Sequence, residues 1–90
     1  MREFTLYPSH LILSQLFKGV DLDGVNLIIG LRNKDINNTS IVVNTDNGLA
    51  TVRWGIGINT LSIFIGDAVY NIKADDVCAL IDAWLASLKN

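Results

Sequence analysis

The spacing of apolar positions changes period along the chain, and its clearest stretch comes last. Val77, Leu80, Ile81, Trp84, Leu85 and Leu88 recur at spacings of 3, 1, 3, 1 and 3, which lays them along one stripe of an α-helix. Asp75 and Asp76 stand where a cap and a first-turn carboxylate meet the positive end of the helix dipole, and Lys89 stands at the other end. The spacing predicts a helix over 75–89.

Upstream the period drops to two. Asp46-Asn47-Gly48 and Gly66-Asp67 are hairpin-turn sequences, since Gly and Asn accept positive φ. A two-residue turn at Gly66-Asp67 sets Ile65 against Ala68, Phe64 against Val69, Ile63 against Tyr70 and Leu61 against Ile72. One face then carries Leu61, Ile63, Ile65, Tyr70 and Ile72, a consistent core face. Earlier, Val25, Leu27, Ile29 and Leu31 alternate with Asn26, Ile28, Gly30 and Arg32. Ile41 with Val43, and Val52 with Trp54, Ile56 and Ile58, repeat that parity. Segments 24–32, 39–45, 49–58, 60–65 and 68–73 are therefore expected to be strands of an antiparallel meander.

The N-terminal third supports two readings. Residues 3–7 suit a short strand. Ser9 suits the cap of a helix over 10–18 with Ile12, Leu13, Leu16 and Phe17 as its apolar face and Gly19 as its end. The same stretch taken as a strand places Leu11, Leu13 and Phe17 on one side; the helix is preferred. The expected fold is α+β: a five- or six-stranded, mainly antiparallel sheet with the C-terminal helix on one face. Residues 1–90 form a single domain, without repeat, linker or low-complexity segment.

Composition sharpens this picture. Half of the residues are apolar and only 18% are charged, and the mean hydropathy is +0.37. So much apolar surface in a small domain calls either for a doubly covered layer or for a partner; a partner is the preferred account. The net charge is −2, and the seven Lys and Arg are scattered from Arg2 to Lys89. Nucleic-acid binding, which needs clustered cations, is disfavoured. No apolar run is long enough to cross a bilayer and no signal peptide is visible, so a cytoplasmic protein is expected. The lone Cys78 has no internal disulfide partner. Nine Asn and eleven Ile against one Gln and one Glu suit an AT-rich coding sequence of the kind phages and mobile elements carry.

Candidate chemistry is sparse. Asp21-Leu22-Asp23-Gly24 resembles the opening of a calcium loop, but Val25 follows and Arg32 occupies the position where that loop needs Glu, so a solvated turn entering a strand is expected. His10 and Cys78 are the only imidazole and thiol, too few for a zinc site. A His10–Cys78 nucleophilic pair is the minor alternative, with Trp54 and Tyr70 beside it in a pocket. Gly55-Ile56-Gly57 lacks the third glycine and following helix of a dinucleotide site and suits a bulge. Asn37-Asn38-Thr39-Ser40 holds two overlapping glycosylation sequons that suit a hairpin loop. No metal or cofactor is expected.

Two surfaces remain. The sheet face opposite the core carries Ile28, Val42, Phe64 and Val69 beside Thr51, Arg53 and Lys73. Residues 9–20, a second subunit or a target must cover it. The C-terminal helix carries Ala79, Ala83 and Ala86 opposite its stripe, a spacing that permits close helix packing and also suits alanine's helix propensity. The expected function is a non-enzymatic protein-binding module, self-associating as a homodimer or binding a foreign protein, with Arg32 and Arg53 at the rim of the interface. A small acidic stoichiometric inhibitor or immunity-type protein fits these properties. A structural subunit of a larger assembly is the second expectation, and a small enzyme or ligand-binding domain the third.

Overall fold

A computed structural model describes residues 2–6, 10–33, 40–55 and 60–89. Along the chain run β1 (Arg2–Leu6), α1 (His10–Leu16), α2 (Leu22–Arg32), β2 (Ile41–Thr45), β3 (Gly48–Gly55), β4 (Thr60–Ile65), β5 (Ala68–Lys73) and α3 (Val77–Ser87). The fold is α+β. One sheet has the order β1-β5-β4-β3-β2. Strands β2 to β5 form the expected antiparallel meander, and β1 joins β5 in parallel. The sheet is thus mixed. The long excursion from β1 through two helices and three strands returns the chain as β5 beside its first strand, which a tight hairpin cannot do.

The β2–β3 and β4–β5 hairpins follow their turn sequences. Asp67 and Gly66 close β4 on β5 with Ile65 opposite Ala68, Phe64 opposite Val69 and Ile63 opposite Tyr70, the register the sequence dictates. Asp46 and Asn47 close β2 on β3 with Thr45 opposite Gly48. This second turn also anchors α1: the Asp46 N–H donates to Lys18 O at 2.7 Å, and Asn47 Nδ2 donates to Gln15 O at 2.9 Å. Gly19 makes the approach possible. Its φ is +77°, and a Cβ there would collide with the Asp46 carboxylate.

The segment 22–32 is a helix, not the strand its alternation suggested. Asp21 caps it, accepting from the Gly24 N–H at 2.7 Å, so the aspartates taken for a solvated turn are a helix start. Asp23 lies in the first turn and Arg32 in the last, both favourable to the dipole. Gly24, Ile28 and Leu31 are the buried residues, at i, i+4 and i+7. Ile28, placed by its parity on the outer sheet face, is therefore a core residue, 1% exposed. Two other expectations fall outside the described residues: the Ser9 cap and, Ser40 apart, the glycosylation loop. Of the expected bulge only Gly55 is described, as the end of β3.

All three helices share one side of the sheet. A single core cluster joins Leu13, Leu16 and Phe17 of the α1 region and Ile28 and Leu31 of α2 to Val77, Leu80, Ile81 and Trp84 of α3. Against them the sheet sets Ile41, Val43, Ala50, Val52, Trp54, Leu61, Ile63 and Ile72. Helix α2 lies on β2, while α3 touches both other helices. Trp84 packs on Phe17 with ring centroids 5.2 Å apart. Among the described residues no helix is long and apolar enough to cross a membrane.

Candidate functional site: an uncovered sheet face

With the helices on one side, the strand register fixes what the other side presents. Glu3, Val69, Phe64, Thr51 and Val42 are successive partners across all five strands and form one row. Thr5, Asn71, Ser62 and Arg53 form the next. In the first row Val42 is 51% exposed and Phe64 37%, while Val69, between Phe64 and Glu3, is buried. In the second row the polar groups hold one another: Ser62 Oγ lies 3.0 Å from Asn71 Oδ1, and Asn71 Nδ2 donates to Glu3 Oε1 at 2.5 Å. This bond ties one oxygen of the Glu3 carboxylate into the row.

Arg53 and Lys73 are both exposed on the same face and form no ion pair among the described residues. Counting Glu3 at −1 with Arg53 and Lys73 at +1 each leaves the face at +1, in a chain of net charge −2. The geometry is an apolar patch of Val42 and Phe64 with a cationic rim. Residues 10–20 do not cover it, because Leu13, Leu16 and Phe17 point into the core on the opposite side.

The other expected site residues separate. Arg32 is not on this face; it spans from α2 to α3, where Nε donates to Asp82 Oδ1 at 2.7 Å and Nη2 to Oδ2 at 2.9 Å. Those hydrogen bonds, opposed by partial burial and reinforced by charge attraction, hold the Asp82 carboxyl below the usual carboxylate range. Ala79, Ala83 and Ala86 are exposed along the solvent side of α3. The Cys78 thiol donates to Arg32 O at 3.7 Å, and His10 begins α1, its carbonyl accepting from Ser14 Oγ. No hydrogen bond joins His10 to Cys78. Trp54 is a core residue whose buried Nε1 has no hydrogen-bond partner among the described residues, and Tyr70 stacks on Phe4 at 5.2 Å.

One surface is not visible from strand parity. A groove of about 520 Å³ runs between α2 and α3, lined by Leu22, Val25 and Ile29 on one wall and Leu85 and Leu88 on the other. Leu22 is 73% exposed there. The signal lay in the sequence: once 22–32 is a helix, Leu22, Val25 and Ile29 fall at i, i+3 and i+7, a stripe beside the buried one. Compared with protein-family models, curated proteins and solved structures, the chain matches none.

Proposed function

We propose that the chain is a non-enzymatic protein-binding module, working in the cytoplasm, whose target-binding surface is the outer sheet face. The observation that carries this reading is the placement of all three helices on one side, which leaves Phe64 and Val42 exposed on the other. The target is a protein surface with an apolar centre and carboxylates around it, complementary to Arg53 and Lys73. Phe64 is the anchor, since aromatic residues near the centre of a patch contribute most to binding, and Arg53 directs hydrogen bonds at the rim. A stoichiometric inhibitor or immunity-type protein is the form of this reading that suits so small an acidic chain.

Phe64→Asp and Arg53→Glu test it, with Leu88→Ser in the α2–α3 groove as control. Immobilised chain is to retain a host protein that both face variants lose and the control keeps, each variant showing the parent circular-dichroism spectrum. Equal retention by all four proteins, or by none, sinks the reading. The groove favours a second reading, a structural subunit of a larger assembly, because it adds an apolar surface on the helical side. In that case Leu88→Ser disrupts assembly as strongly as Phe64→Asp.

A further inference from the structure

The groove between α2 and α3 has walls of one chemistry and ends of another. Leu22, Val25 and Ile29 form one wall and Leu85 and Leu88 the other, all aliphatic. From Leu22 to Ile29 the wall rises about 10 Å along α2. Its volume of about 520 Å³ falls within the roughly 300–1,000 Å³ of sites that hold one small molecule. With no aromatic ring in them, the walls offer a planar ligand no stacking platform and suit a flexible aliphatic chain. Folding leaves these side chains short of cover: Leu22 is mostly exposed and Leu88 half exposed.

Charge distinguishes the two ends. Arg32, the last residue of α2, meets Asp82 in the bidentate pair and accepts at its carbonyl from Cys78, so the end of α2 lies against the first half of α3. The helices therefore run in opposite directions, and at this end both charges are spent on each other. The other end brings the start of α2 beside Leu88 and Lys89. Lys89 is exposed and forms no ion pair among the described residues. Arg32 and Lys89 against Asp82 leave the lining at +1, in a chain of net charge −2. The nearby aspartates face elsewhere: Asp21 turns its carboxylate onto the Gly24 N–H, and Asp23 stands about 160° round the helix from Val25.

We infer that the groove is a binding site for a small aliphatic carboxylate, its chain lying between the two leucine-bearing walls and its head group facing Lys89. Each methylene buried there adds to affinity, so a longer chain binds more tightly until the walls are filled. Lys89 sets the sign of the head group: it attracts an anion and repels a cation. The Arg32–Asp82 pair bounds the far end, where its mutual hydrogen bonds leave an alkyl terminus no unpaired charge to bury. The site lies on the helical side of the sheet, so the inference stands whether or not the outer face binds a target.

Titration of the isotope-labelled chain with hexanoate, octanoate and decanoate, each below its micelle concentration, tests it by chemical-shift mapping of methyls and amides. Saturable shifts are expected at Val25, Ile29, Leu85 and Leu88 and not at Val42 or Phe64, with affinity rising at each step in chain length. Decyltrimethylammonium is expected to bind more weakly than decanoate. Lys89→Glu, a surface change that keeps the fold, should weaken decanoate about fivefold, the scale of one exposed ion pair, and reverse the preference between the two head groups. Val25→Asp should abolish binding with the parent circular-dichroism spectrum, and Phe64→Asp should leave it unchanged. Shifts absent or scattered over the surface, equal affinity of the parent for both head groups, or a Lys89→Glu chain that still prefers decanoate would each overturn the inference. So would shifts that appear only with phosphatidylcholine vesicles, which would place these residues on a bilayer instead of around a free acid.

Discussion

Trp84 shows how one side chain can carry much of a small core. It is 1% exposed and packs on Phe17, coupling the last helix to the first. Trp84→Ala is expected to cost about 3–5 kcal/mol, because the cavity lies where α1, α3 and the sheet meet and cannot collapse; urea unfolding measures it. Asp82 is a contrasting case at the surface. Its carboxyl is held low by Arg32 in the folded chain, so the stability it contributes is present above the ordinary aspartate range and is lost as pH falls through the lowered folded value. Asp82→Asn should therefore flatten the acid side of the stability–pH profile and leave its slope near neutrality unchanged. An unaltered acid limb would show that the bidentate pair does not persist in solution.

At the scale of elements, what the sequence disclosed depended on whether two periods competed. In 60–73 they did not: Gly66-Asp67 sets the hairpin, β-branched residues alternate around it, and the register follows pair by pair. In 77–87 the 3.6-residue stripe stands alone, and its first four members are buried as expected. In 22–32 both periods fit. Apolar residues at Leu22, Val25, Leu27, Ile28, Ile29 and Leu31 surround the helix, so a two-residue alternation can be drawn through them although the segment is long for a strand and Asp21 caps it. That one substitution of strand for helix moved Ile28 and Arg32 onto the wrong face and hid the α2–α3 groove. Gly24 explains how closely α2 sits on the sheet: a Cβ there would lie 2.5 Å from Val20 Cγ2 and 3.3 Å from Val43 Cβ. Alanine is the better helix former, yet Gly24→Ala, in the first turn of α2, is expected to lose stability. A raised urea midpoint would mean that α2 stands further from β2.

For the whole molecule the deciding property is sidedness. Three helices cover one face of a five-stranded sheet, and adjacent residues of β4 divide between the two environments: Ile63 is wholly buried against the helices while Phe64 faces outward. A domain of this length holds about 5–13 kcal/mol of stability. Ile63→Asp places a carboxylate in the core with no partner and should remove more than about 4 kcal/mol, most of that reserve. Phe64→Asp loses cross-strand packing with Thr51 and Val69 but keeps its charge in water, so about 1–2 kcal/mol is the expected cost. Circular dichroism and urea unfolding of the two variants, side by side, read the difference. Collapse of Ile63→Asp beside a folded Phe64→Asp would establish one covered and one open face. If both unfold, the outer face is covered, and the surface on which target binding rests does not exist.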